Sequence, residues 1–248
     1  MITIKKSSEL DKMRKAGRIV GDALKKIEEY VKPGISTLEL DAIIEDFIRS
    51  HDAMPSFKNY HGFKHSTCIS IDDVVVHGIP SKDIILKEGQ IVSIDVGAKK
   101  EGFHGDAART FCVGKVSEQA KQLIGVTRQS FFEGIKYCRA GRRLGDVSHA
   151  IQEYAESFGY GVVREMTGHG IGSALHEDPT IRNYGPANSG ILLKAGYTLA
   201  IEPMITAGDY AIYISSDGWT CRTRDGSLSA HYENTLIVTD GEPEILTL

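Results

Sequence analysis

With 248 residues, 41% hydrophobic and 25% charged side chains and a formal net charge of −4, the chain reads as an ordinary globular protein able to bury a sizeable core. The weak negative balance argues against specific nucleic-acid binding, and no run approaches the ~20 apolar residues of a membrane span. Cys68, Cys112, Cys138 and Cys221 lack any C-x-x-C pairing, which argues against a zinc knuckle or disulfide framework and favours reduced thiols.

The opening "MITIKKSSELDKMRKAG" has no apolar centre of a secretory signal, so the chain is expected in the cytoplasm. From Ser7 or Ser8, followed by Glu9, the positions Leu10, Met13, Ile19, Val20, Leu24 and Ile27 fall at helical spacing until "VKPG" stops the run. "STLELDAIIEDFIRSH" predicts a second helix, capped by Ser36 or Thr37 with Glu39 close behind. "IVSIDVGAKKEGFHGDAARTF" then predicts a hairpin turning on Lys100-Glu101, with Gly102 following. A symmetric loop would set Asp95 directly opposite Asp106, with Cβ atoms roughly 4.5–5.5 Å apart. Ile91 and Ser93 share the Asp95 face, while Val92, Ile94 and Val96 form an apolar back.

Two further helical stretches follow, "SEQAKQLIGVTRQSFFEGIKYC" and "LGDVSHAIQEYAESFG". Next comes "TGHGIGSALHEDP", with His169 among glycines and His176 seven residues on. "KAGYTLAIEPM" ends an apolar strand on Glu202, and "SLSAHYENTLIVT" puts Glu233 inside another strand-like run.

A shift of 107 residues carries Asp95 to Glu202, Gly34 to Gly141, Ile44 to Ile151, Gly89 to Gly196 and Ile94 to Ile201. A constant offset over that distance predicts an internal duplication. The expectation is one α/β domain over residues 1–248, with pseudo-repeat halves at roughly 1–113 and 114–248 and the acids near the axis between them. Four carboxylates are too many for one cation and suit two. The imidazoles of His169, His176 and His77 move the choice of ion toward Mn, Fe, Co or Zn. His61, His65, His104, His149 and His231 read as structural or exposed, His104 and His231 lying on the acid-bearing face.

With Asp95, Asp106, His169, Glu202 and Glu233 in this order, the chain closely resembles the type I methionine aminopeptidases of bacteria. The resemblance covers nearly the whole length, through "GFHGDAARTF", "GHGIGSALHEDP", "LAIEPM" and "YENTLIVT". It implies the pita-bread fold, an α/β (α+β) architecture of two pseudo-symmetric halves whose curved antiparallel sheet is covered by helices on one side. It also implies metal-dependent removal of the initiator methionine from nascent proteins and peptides when the second residue is small, by a hydroxide bridging two divalent ions (Fe, Mn, Co or Zn).

On that resemblance Asp95, Asp106, His169, Glu202 and Glu233 hold the metals, and Glu202 also shuttles a proton. His176 hydrogen-bonds the developing oxyanion, His77 contacts substrate, and Tyr60, Phe63, Cys68 and Trp219 line the methionine pocket. Phe57, Val76 and Leu175 depart from residues common among such relatives and bear on the pocket's shape. The partner is the N-terminus of a nascent polypeptide, with transient ribosome contact, no membrane, and a monomeric state. Two rivals stand beside this reading. Prolidase and aminopeptidase P share fold and ligands but carry a large N-terminal domain and further active-site histidines. A catalytically inactive binding relative would have lost ligands, and all five are present.

Overall fold

The computed structural model describes residues 2–248. Two helices open the chain, α1 (Ser7–Glu28) and α2 (Thr37–Ser50), followed by β1 (Met54–Pro55), a short turn of 3-10 helix at Tyr60–Gly62, β2 (Thr67–Ile71), β3 (Val74–Val76) and the long pair β4 (Ile91–Lys100) and β5 (Phe103–Cys112). The second part repeats the plan with α3 (Glu118–Ile135) and α4 (Leu144–Ser157), then β6 (Gly161–Val162), β7 (Gly168–Gly170), β8 (Glu177–Ile181), β9 (Thr198–Ile201) and β10 (Met204–Thr206). It closes with β11 (Ile212–Ile214), β12 (Cys221–Thr223), β13 (Ser229–His231), β14 (Asn234–Ile237) and β15 (Glu244–Ile245). Pairings between these strands are antiparallel.

Each helix pair covers the back of its own sheet because its apolar stripe has nowhere else to go. Val20, Leu24 and Ile27 of α1 and Leu40, Ile44 and Ile48 of α2 bury against Val92, Ile94 and Val96, the predicted apolar back of β4. Phe131 and Ile135 of α3 and Val147 and Ile151 of α4 do the same against Leu199, Ile201 and Leu236. Ser36 caps α2, its hydroxyl accepting from Glu39 N while the Glu39 carboxylate accepts from Ser36 N at 2.9 Å. α1 is entered differently from the sequence expectation. Its N-cap is Lys6, and Glu9 alone reaches back, accepting from Lys6 N at 2.7 Å.

The duplication is visible in the backbone. α2 and α4 have bounds that differ by the same 107 residues at both ends, 37 to 144 and 50 to 157. Gly34 N donates to Leu86 O at 2.9 Å, and Gly141 N to Leu193 O at 3.0 Å; Thr37 N donates to Ile84 O and Leu144 N to Ile191 O, both at 2.9 Å. Gly34 and Gly141 both take positive φ (95° and 83°), as do Gly89 and Gly196 (89° and 88°), a region a side chain would resist.

The hairpin register differs from the symmetric expectation. Lys100 pairs with Phe103, so the turn is Glu101-Gly102, both at positive φ (51° and 87°), which is the two-residue turn that matches strand twist. Asp106 therefore faces Gly97, and Asp95 faces Ala108. The slip moves every partner by two residues, an even number, so Asp95 and Asp106 remain on one face as diagonal neighbours. Glu233 is a second correction. It lies in a two-residue break between β13 and β14, as Glu202 lies between β9 and β10. Ile201 pairs with Asn234 and Met204 with His231, so the register carried across the break sets Glu202 opposite Glu233.

The two parts meet along β5. Glu233 N donates to Ala108 O at 3.0 Å. On either side a threonine hydroxyl replaces a ladder bond: Thr235 Oγ1 accepts from Asp106 N and donates to Asp106 O, both at 2.9 Å, and Thr110 Oγ1 does the same with His231 N and O. α1 lies so close over β5 that a Cβ on Gly105 would stand 2.8 Å from Gly17 N and Cα. Gly105→Ala must push helix from strand, and is expected to destabilise the fold by roughly 1–3 kcal/mol, read as a lowered denaturation midpoint.

Candidate metal centre

Five elements converge on one point. Asp95 from β4 and Asp106 from β5 face forward beside the two strand breaks that carry Glu202 and Glu233, and His169 stands on the central residue of β7. His169 Nε2 lies 3.9 Å from Asp106 Oδ2 and 3.7 Å from Glu202 Oε1. Its Nδ1 donates to Gly170 O at 2.9 Å, which fixes the tautomer and leaves Nε2 as a bare lone pair aimed at the acids. Ligand atoms of Asp106, His169 and Glu233 lie within 4.8 Å of one another, and so do those of Glu202, His231 and Glu233. Backbone grips hold the two glutamates: Asn183 Nδ2 donates to Glu202 O at 2.9 Å and Arg109 Nη1 to Glu233 O at 2.5 Å.

The electrostatics are those of a cage built for cations. Burial pushes Asp95 up to about 7. Asp106 is raised well above the carboxylate range by burial, then by Asp95 and Glu202. Glu202 is raised by burial and Asp95, and Glu233 by burial and then all three other acids. Burial lowers His169 and His231 to about 3, so both imidazoles are neutral at physiological pH and free to act as ligands. Asp95 Oδ1, Asp106 Oδ1, Glu233 Oε1 and His231 Nε2 are buried with no hydrogen-bond partner. Buried polar atoms without partners are rare in folded proteins, and a set of carboxylate oxygens and an imidazole nitrogen converging on one point fits the demands of a cation. The donor set, carboxylate oxygens with one or two imidazoles, fits divalent transition ions.

A cavity of about 180 Å³ opens beside the acids. The four predicted pocket residues Tyr60, Phe63, Cys68 and Trp219 line it, together with His77, His176, Phe57, Leu175 and His61. Cys68 lies opposite Asp95 in the β2–β4 ladder, and Phe63 packs edge-on against Trp219 at 5.1 Å. The Tyr60 hydroxyl lies 2.8 Å from His176 Nδ1, and the His176 ring sits 4.2 Å from that of His169. Burial lowers the pKa of His176 and of His77, with His61 adding to the first and His176 to the second.

Two further histidines stand at the site, His231 on the acid-bearing face as its sequence position implied and His61 unannounced. His231 is 2% exposed, with Nε2 3.7 Å from Glu202 and 3.9 Å from Glu233. Its place two residues before Glu233 put it on the acid-bearing face in sequence. His61 lines the cavity from a left-handed backbone (φ 48°) that nothing in the local sequence announces. His104, which shares the acid-bearing face, stands away from the cluster, its Nδ1 2.9 Å from Ser56 Oγ.

The sequence profile of metallopeptidase family M24 matches residues 11–240. The chain belongs to metallopeptidase family M24. A methionine aminopeptidase of Clostridium acetobutylicum is 54% identical over 248 residues, covering 100% of this chain and 99% of that one. Methionine aminopeptidase 1 of Bacillus subtilis is 49% identical over 247 residues, with the same coverage. The crystal structure of a methionine aminopeptidase from Thermotoga maritima superposes with a TM-score of 0.98 at 46% identity, over 100% of this chain and 99% of that one. A prolidase from Pyrococcus furiosus, at 24% identity and a TM-score of 0.81, shares the fold over 65% of its own length. Within family M24 the four helices and antiparallel sheets described above are the pita-bread fold.

Proposed function

We infer that the chain is a metal-dependent methionine aminopeptidase, which removes the initiator methionine from proteins and peptides. The observation that carries this is the conjunction of the orphaned acid cluster with an apolar, aromatic and thiol-lined cavity opening directly onto it. Full-length relatives at about half identity bear the same activity in their names. Asp95, Asp106, His169, Glu202 and Glu233 are the residues proposed to hold two divalent ions, of which Fe, Mn, Co and Zn fit the donor set. His231, placed between Glu202 and Glu233, is proposed to orient their carboxylates. The whole of residues 1–248 is proposed to act as one catalytic unit, since each half supplies two of the four acids.

When bound, the ions supply a Lewis acid for the scissile carbonyl and lower the pKa of an attacking water. The chain's own residues do the rest. The cavity takes the methionine side chain, with Phe63 and Trp219 forming an aromatic wall and Cys68 a polarisable one. Glu202, 3.7 Å from both His169 and His231 and open to the cavity, takes the proton of the water and passes it to the departing amine. With the Tyr60 hydroxyl donating to His176 Nδ1, Nε2 carries the hydrogen that stabilises the oxyanion. His77 follows β3 at positive φ (59°), a conformation uncommon for a side-chain-bearing residue, and aims its ring into the same cavity to contact substrate near the scissile amide. His176→Ala is expected to lower kcat by roughly 10²–10³-fold, with metal content unchanged.

A small second residue, a nascent-chain substrate, transient ribosome contact, a cytoplasmic setting and a monomeric state complete the reading. Release of methionine from Met-Ala-Ser, compared with release of proline from Ala-Pro in the presence of Mn²⁺, tests it. Turnover of Met-Ala-Ser alone is expected. Turnover of Ala-Pro alone would assign a prolidase, and no turnover by a metal-loaded sample would assign a binding protein.

A further inference from the structure

One wall of the cavity is a segment with little support of its own. Residues 58–67 supply Tyr60, His61 and Phe63 and lead straight into Cys68. Asn59, His61 and Gly62 all take positive φ (67°, 48° and 90°), which for the two with side chains is strained. Its backbone bonds between Asn59 and Phe63 are local: Asn59 N to Phe63 O, Tyr60 N to Phe57 O and Phe63 N to Tyr60 O.

Two acids on α2 grip this segment at both ends. Asp41 and Glu45 are four residues apart and so share one helix face. Asp41 Oδ1 accepts from Ser66 N at 2.9 Å, Thr67 N at 2.8 Å and Thr67 Oγ1 at 2.7 Å. The Asp41 carboxylate also lies 3.3 Å from His65 Nδ1. Glu45 takes Lys58 Nζ on both oxygens, at 2.8 and 2.7 Å, and accepts from Ser66 Oγ at 2.8 Å. The Glu45 carboxyl is held down to about 2: burial opposes its ionisation, and the bonds from Lys58, Ser66 and Arg49 outweigh that. Charge-assisted bonds of this kind are the strong ones, and here they close a bracket around a strained loop.

The duplicated half supplies an internal control. The shift of 107 residues takes Asp41 to Ser148 and Glu45 to Gln152, both neutral. The apolar positions between them are kept, Leu40 and Ile44 mapping onto Val147 and Ile151, all essentially fully buried. The helix therefore packs on its sheet without acids on that face. The half that has them is the half that contributes the 58–67 wall.

We propose that Asp41 and Glu45 of α2 are positioning residues for substrate selection, fixing the shape of the methionine pocket by clamping residues 58–67 at Lys58 and at Ser66–Thr67. The proposal rests on the methionine-specific reading above. It predicts that loosening the clamp broadens the pocket while the acid cluster is left intact. Asp41→Asn, Glu45→Gln and Lys58→Met would be assayed on Met-Ala-Ser and Leu-Ala-Ser, with Mn²⁺ affinity by calorimetry and hydrogen exchange of residues 59–66. KM for Met-Ala-Ser is expected to rise roughly 10- to 100-fold, the loss that follows a displacement of about 1 Å. Mn²⁺ affinity should be little changed, and kcat should fall by less than KM rises, since Tyr60 on the loosened segment also bonds His176. The preference for Met over Leu should fall by roughly tenfold, and residues 59–66 should exchange faster. Unchanged KM and preference in the folded variants would overturn the proposal, and so would losses confined to kcat and metal affinity. Should Asp41→Asn fail to fold, Glu45→Gln and Lys58→Met, at the less buried end, decide it. A parent protein that releases no methionine from Met-Ala-Ser sinks the functional reading instead, which keeps the two failures apart.

Discussion

Asp106→Asn is expected to bring methionine release below roughly one-thousandth of the parent rate, and at pH 8 to raise the melting temperature of the metal-free protein by a few degrees. Both effects follow from the same charge. Asp106 is 3% exposed, and its ionisation is resisted by burial, by Asp95 and by Glu202. In the absence of cations that charge has no compensation, and a buried unpaired charge costs the fold several kcal/mol at most sites. The asparagine amide keeps the shape, keeps the backbone bonds to Thr235, and donates to the neighbouring carboxylate instead of repelling it. The same change removes a negative charge from the candidate group formed with His169 and Glu233, so cation binding is expected to suffer as apo stability improves. Activity assays and calorimetric melts after exhaustive chelation check the two halves. A variant that stays active, or that melts lower when metal-free, contradicts the assignment.

The metal-free protein is expected to lose stability between about pH 6.5 and 8, and added Mn²⁺ to restore more stability at pH 8 than at pH 6. Two sets of groups set the sign. The four acids have folded pKa values above their unfolded ones, Asp95 at about 7 and Asp106, Glu202 and Glu233 raised well above the carboxylate range by burial and by one another. Between the unfolded and folded values the folded state binds more protons, so stability falls as pH rises. His169 and His231, lowered to about 3, and His104, lowered to about 4, work the other way, adding stability as pH rises to about 6.5. Below pH 6.5 the two sets offset one another; above it only the acids still titrate. The buried thiols, raised by burial, enter only above roughly pH 8.5. Metal binding reverses the trend because it selects the ionised cage and releases its protons. Melts across this range with and without Mn²⁺ measure it, and a metal-free melting temperature that climbs from pH 6.5 to 8 contradicts it.

The cage was legible in the sequence because strand alternation and a constant offset are both one-dimensional signals. Asp95 and Glu202 end related apolar runs, and the bounds of α2 and α4 preserve their shift to the residue. The hairpin register was misjudged because the sequence does not announce that Glu101 joins Gly102 at positive φ. The face survived the error because the slip was even. Glu233 read as mid-strand because apolar alternation continues through "AHYENTLIV", whereas the break there lies opposite the break at Glu202-Pro203. The walls of the cavity were less legible. His61, Phe57 and Leu175 reach it through a strained loop and contacts more than a hundred residues apart, for which local sequence carries no period. The clamp at Asp41 and Glu45 looked like ordinary helix-surface charge until the partners at residues 58–67 were in place.

Titration of Mn²⁺ into the chelated, folded protein, following bound ion and methionine released from Met-Ala-Ser in the same sample, is the most direct measurement. Release that is absent without ion and rises with occupancy of the Asp95, Asp106, His169, Glu202 and Glu233 cage is the result expected. Full release from a sample holding no divalent ion would contradict the account.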